Sequence, residues 1–226
     1  MRTHLGIVGV SSEGAALFYR NLARQASNVR SPTDQPKISI HAEPLAEYLA
    51  AIRRDDWHAI GRLLRKSADM LASCGAQCVM TPDNAVQHGV QLAEVGSPIP
   101  WLTMPQLVGE AIAKDNRKRV GIIGTKMVCF SSTYQTQLGL QGIRVSPPNE
   151  ADANTIDEII FGELIFGYAR PESIEKVRTI LAGMAASGCE AIILASSELP
   201  LIVSEGVSPL PVYDSNELLA HAALTS

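Results

Sequence analysis

The chain repeats itself. Cys74-Gly75-Ala76-Gln77-Cys78-Val79-Met80-Thr81-Pro82-Asp83-Asn84 reads like Ser187-Gly188-Cys189-Glu190-Ala191-Ile192-Ile193-Leu194-Ala195-Ser196-Ser197. Each copy is a small residue and a glycine, then a buried-type strand, then a polar turn. Gly75 corresponds to Gly188, and Asp83 to Ser196. A second pair keeps nearly the same offset: Gly6-Ile7-Val8-Gly9 with Tyr19 matches Gly121-Ile122-Ile123-Gly124 with Tyr134. Two similar lobes follow, with Asp83 and Ser196 expected to face each other across a cleft between them. With 226 residues, two small α/β lobes can each bury a core.

The pattern along the chain alternates strand and helix. In the first half, strands are predicted over His4–Val10, Lys37–His41, Ala76–Met80 and Ile99–Thr103. The helices there are Glu13–Ala26, a long one capped by Asp55 or Asp56 and running through Ala72, Asn84–Glu94 and Pro105–Asp115. Asn28–Pro36 reads as a loop and Glu43–Arg53 as a loop or short helix. Asn116–Arg119 is the candidate crossover between lobes. The second half repeats the rhythm. Its strands are Val120–Ile123, Ile143–Ser146, Ala191–Leu194 and Leu210–Tyr213, and its helices cover Thr125–Leu138, Glu150–Phe166, Pro171–Ser187 and a stretch from Ser215. Apolar strands alternating with helices specify an α/β fold whose mostly parallel sheets are covered on both faces. The expected division is 1–104 plus 210–226 for the N-terminal lobe and 105–209 for the C-terminal lobe.

Charge and composition exclude several functions. A net charge of −4 gives no basic stripe for nucleic acid. No apolar run reaches membrane-spanning length, and a strand begins too early for a signal peptide. Cys74, Cys78, Cys129 and Cys189 read as thiols of a cytoplasmic protein, not as a disulfide framework. Gly75 separates Cys74 from Cys78, which argues against a metal pair. Gly9-Val10-Ser11-Ser12-Glu13-Gly14 is neither a dinucleotide fingerprint nor a P-loop. No cofactor and no metal are expected.

In an open α/β sheet, ligands sit beyond the carboxyl ends of strands, against helix N-termini. Four such ends stand out: Gly9–Ser12, Thr81–Asn84, Gly124–Thr125 and Ala195–Glu198. They offer backbone N–H groups and small hydroxyls, suited to a carboxylate. Each alone is ordinary turn chemistry, and the matched placement in two halves is what weighs against that. Glu163, Glu198 and Asp214 are further candidate carboxylates, each equally readable as a solvated or capping acid. His88 reads as a surface residue of its helix.

These residues together resemble the aspartate/glutamate racemase family over nearly the full length. The carriers are Gly6–Gly9, Asp83-Asn84, Val120–Thr125, Ile159–Leu164, Gly188–Pro200 and Leu210–Asp214. The stretch around Asp55-Asp56-Trp57 is similar to the bacterial branch acting on acidic or broad-range amino acids. The resemblance implies two pseudo-symmetric lobes, commonly in a homodimer, and cofactor-independent chemistry on a small carboxylate or amino acid. It also implies a pair of cysteines, one before Asn and one in Gly-Cys-Thr-Glu, that remove and return the α-proton on opposite faces. Here those places read Asp83-Asn84-Ala85 and Ala195-Ser196-Ser197-Glu198, so both cysteines are replaced.

The replacement alters the chemistry. A thiol with pKa near 8.5 serves as acid or base, whereas a serine hydroxyl needs an activating partner. Asp83 is the expected general base or acid and Ser196 its opposite partner. Ser11, Ser12, Asn84, Thr125, Ser197 and Glu198 are expected to bind substrate. One-sided proton transfer suits this pair better than two-base racemisation. Racemase, epimerase or related isomerase is the first reading. A small-carboxylate binding protein that lost the chemistry is the second, and a divergent decarboxylase or cyclase the third. Ala85 and Gln87 also depart from the family pattern, which favours natural divergence over an engineered pair.

Overall fold

Every residue of the first strand, β1 (His4–Gly9), is buried, so β1 lies inside a sheet and not at its edge. The computed structural model describes residues 3–29, 33, 35–203 and 206–225. Met1–Met104 with Asn216–Ser226 form one unit, and Pro105–Ser215 another.

In the first unit β1 is followed by α1 (Ser12–Val29), β2 (Lys37–Ala42), α2 (Leu45–Arg53) and α3 (Trp57–Ser73). Then come β3 (Cys78–Met80), a 3-10 turn at Asn84–Val86, α4 (Gln87–Glu94) and β4 (Trp101–Leu102). All strand pairs are parallel, in the order β2-β1-β3-β4. Val8, Tyr48, Leu64, Val79, Val90 and Trp101 belong to one buried cluster.

In the second unit α5 (Met104–Lys114) leads to β5 (Arg119–Gly124), α6 (Lys126–Cys129), α7 (Ser132–Gly139) and β6 (Arg144–Ser146). α8 (Glu150–Gly162), α9 (Pro171–Ala186), β7 (Ala191–Ala195) and β8 (Val212–Asp214) follow. These strands are also parallel, in the order β6-β5-β7-β8. α10 (Ser215–Thr225) returns to the first unit. The wiring of the two sheets is therefore the same. The register agrees too: Gly6 lies beside Val79 in one sheet, and Gly121 beside Ile192 in the other.

Several expectations need correcting. The segment 210–215 goes with the second unit, because β8 supplies the fourth strand of that sheet, with Ile192 beside Val212. Of the two alternatives for Glu43–Arg53 the short helix holds, from Leu45, entered through Pro44, with Tyr48 and Ala51 buried. The helix expected over Thr125–Leu138 breaks at Phe130-Ser131, where Ser131 Oγ donates to the Val128 carbonyl. The helix expected to reach Phe166 stops at Gly162. There Glu163 turns out of helical geometry, and its carboxylate accepts from Arg170 N (2.8 Å) and Ser173 Oγ (2.7 Å). β3 and β4 are shorter than read. The loop read over Asn28–Pro36 falls largely outside the described residues, and α1 itself extends to Val29. Asp56, one of two candidate caps, does cap α3, accepting from Ala59 N at 2.9 Å.

Candidate active site

The carboxyl ends of β1 and β3 are neighbours in the first sheet, because Ile7 pairs with Met80. This brings Ser11 and Ser12 to the same sheet edge as Asp83 and Asn84. Ser11 Oγ accepts from Gly14 N at 3.0 Å and so caps α1. Ser12 is the exposed first residue of that helix. Thr81 and Pro82 are buried, and Asp83 follows with an extended backbone. Asp83 Oδ1 accepts from Ala85 N at 2.9 Å, which fixes the rotation of the carboxylate. Asn84 is buried at the start of the 3-10 turn.

One functional-looking residue escaped the sequence reading. Gln87 is 2% exposed, and its amide donates to the carbonyls of Thr81 and Asp83, each at 3.2 Å. Its Oε1 accepts from Met104 N at 3.2 Å. A buried amide must satisfy several hydrogen-bonding positions, and here they clamp the turn that carries Asp83. Its signal was its place on the first turn of α4, four residues after Asp83.

In the second sheet Gly124 pairs with Ala195, so Thr125 and Ser196 leave adjacent strand ends. A Cβ on Gly124 would lie 2.7 Å from the Ala195 carbonyl oxygen, so only glycine permits this approach. The Thr125 carbonyl accepts from Val128 N and Cys129 N, while its hydroxyl is buried without a partner among the described residues. Ser196 is 6% exposed and donates to Glu198 Oε2 at 2.7 Å. Ser197 and Glu198 are half-buried beside it. Glu198, expected to bind substrate, is thus joined first to Ser196. Asp214 ends β8 next to Leu194.

Other candidates stand elsewhere. Glu163 secures the start of α9. Burial acts to raise its pKa, but the Arg170 N–H, the Ser173 hydroxyl and the charges of Arg170 and Lys176 outweigh that and hold it below the usual carboxylate value. The His88 ring stacks edge-on to Trp57 at 4.9 Å. Cys78, Cys129 and Cys189 are buried, and Cys74 is exposed. Burial raises the Cys78 thiol and pushes Cys129 up to about 12 against the opposing Gly124 backbone contact. No group of three or more metal-ligating side chains occurs among the described residues, and no helix there is long and apolar enough to cross a membrane.

Residues 7–223 match the family model described as Asp/Glu/Hydantoin racemase. An uncharacterised protein from the pnlA 3' region of Pectobacterium carotovorum is 32% identical over 116 residues, 49% of this chain and 73% of that protein. A candidate Asp/Glu racemase from Yersinia pestis superposes with a TM-score of 0.91 at 24% identity, covering 99% of this chain and 98% of its own. An aspartate racemase homologue from Pyrococcus horikoshii gives 0.88 at 24% identity, covering 100% and 98%. Glutamate racemase from Francisella tularensis in complex with D-glutamate gives 0.71 at 16%, covering 99% and 80%. At these identities the solved structures establish a shared fold.

Proposed function

The chain belongs to the Asp/Glu/hydantoin racemase family, and we propose that it moves a proton at the carbon beside the carboxylate of a small acid or amino acid, without a cofactor. Asp83 takes the proton from that carbon. The charge left behind spreads into the substrate carboxylate, where N–H groups and hydroxyls at the strand ends (Ser12, Asn84, Thr125, Ser197) stabilise it. Ser196 is the partner acid/base. When its oxygen takes a proton from carbon, its own hydroxyl proton passes to Glu198, and the reverse transfer returns one to carbon. No free alkoxide forms.

The observation carrying this reading is the 2.7 Å bond from buried Ser196 Oγ to Glu198. It supplies the activating partner that a lone serine lacks. A specific feature favours a second reading, binding without chemistry: Asp83 Oδ1 is already used as a turn cap. The same family membership carries the expectation of a homodimer, which sedimentation checks.

Proton NMR in deuterium oxide separates the two, with a panel of amino acids and 2-substituted carboxylates. Loss of an α-proton signal with the wild type and not with Asp83→Asn supports the enzyme and names its substrate. Thermal stabilisation by one compound with no exchange supports the binding protein. A new product in the spectrum points to decarboxylation or cyclisation.

A further inference from the structure

Beneath α2 and α3 the first sheet carries a line of polar side chains through otherwise apolar packing. His41 pairs in register with Val8, and Ile7 with Met80. One step further along, His41, Val8 and Thr81 form a row whose side chains share a face. Val8 packs in the cluster that holds Tyr48 and Leu64, so this is the face that α2 and α3 cover.

His41 Nδ1 and Ser67 Oγ are 3.0 Å apart. The Tyr48 hydroxyl and Thr81 Oγ1 are fully buried, and neither has a hydrogen-bond partner among the described residues. Ser67 lies close enough to act on the Tyr48 phenol without completing a bond to it. At the outer end His41 Nε2 is 3.9 Å from Glu43, which holds Lys66 at 2.8 Å.

Two unpaired buried hydroxyls in one layer cost stability, so their retention calls for a use. Burial pushes the Tyr48 phenol far above its usual range. Ser67 opposes that rise, and the charges of Glu43, Asp83 and Glu47 add to it. Tyr48 is therefore a neutral donor within electrostatic reach of Asp83. Asp83 has an extended backbone and stands two residues beyond Thr81, the spacing at which a chain continuing in the direction of β3 sets both side chains on one side.

We propose that Tyr48 and Thr81 are positioning residues for Asp83, their buried hydroxyls reserved for its carboxylate, with Ser67 and His41 steadying the Tyr48 hydroxyl. The proposal rests on reading Asp83 as the acid/base group. Gln87 fixes the backbone of the turn, and the hydroxyls set the charge on its side chain. The other titratable groups facing this region are Glu43 just before α2, Glu47 on α2, Lys66 on α3, His41 on β2 and His88 on α4.

The test follows the 13C carboxyl titration of Asp83 in the full chain, assigned by its loss in Asp83→Asn. Neither hydroxyl is bonded to the carboxylate, so what each variant removes is a nearby dipole that favours the charged form, and that removal raises a carboxyl pKa. Tyr48→Phe and Thr81→Val should each raise the Asp83 midpoint by roughly 0.5 pH unit or more, and the low-pH limb of deuterium exchange should move with it. Tyr19→Phe, at an exposed position, should leave both in place. An unmoved midpoint in folded Tyr48→Phe and Thr81→Val overturns the proposal. If Tyr48→Phe fails to fold, Thr81→Val decides alone. No exchange in the wild type, with the Asp83 midpoint still raised in the two variants, removes the proton-transfer reading and keeps the positioning.

Discussion

Cys78 opens β3, five residues before Asp83 and roughly 16 Å upstream at strand rise. Cys189 precedes β7, and the Cys129 thiol is turned onto the Ile122 and Gly124 carbonyls. None stands at the position of Asp83 or Ser196. A disulfide-exchange reagent should therefore titrate one thiol in the native protein, Cys74, and all four after unfolding. Blocking Cys74 should leave exchange unchanged, and a blocked enzyme that loses exchange would return a cysteine to the chemistry. Glu163 yields a prediction of stability against pH. Its folded pKa lies below the ordinary carboxylate value, so its contribution is complete above the unfolded value, near 4.3, and is lost as pH falls through the folded one. Denaturant midpoints measured from pH 6 down to pH 2 should fall less steeply for Glu163→Gln than for the wild type.

At the scale of elements, the central strands were legible because both units bury them on two faces, leaving continuous apolar runs such as Gly6–Gly9 and Ala191–Ala195. The helix ends were less so. Glu163 carries no local mark that it will leave one helix to cap the next, since its partners lie seven and ten residues on. Glu43–Arg53 left loop and short helix both open, and the burial of Tyr48 on one side of α2 is what the structure adds. The candidate strand ends stood out through the repeat, while the Ser196–Glu198 bond and the Gln87 clamp needed side-chain geometry. Gly124 shows how tightly the strand ends are fitted. Gly124→Ala would press on the Ala195 carbonyl, next to Ser196. It should cost about 1–3 kcal/mol in chemical denaturation and lower exchange. Asp56→Ala, which removes the cap of α3, should cost about 1 kcal/mol with exchange unaffected. Equal exchange in both variants would mean that the β5–β7 approach does not shape the site.

At the scale of the whole molecule, one wiring is used twice with different groups at the matched positions. Asp83 stands four residues after Val79, the partner of Gly6, and Ser196 four after Ile192, the partner of Gly121. In the proposed reaction a carboxylate and a hydroxyl–carboxylate pair differ as proton carriers, so halves that are equivalent in backbone would be unequal in chemistry. The wild type should then exchange the substrate proton faster than it inverts the carbon, which parallel NMR and chiral chromatography on one sample will measure. Asp83→Cys combined with Ser196→Cys should raise inversion relative to exchange, because two thiols near the working pH put equivalent proton carriers at the matched positions. Inversion as fast as exchange in the wild type would show that Ser196 with Glu198 already matches Asp83. A folded double variant with no gain would mean that divergence reached the substrate contacts as well, and the departures at Ala85 and Gln87, one bonded to Asp83 and the other clamping its turn, are where that divergence would lie.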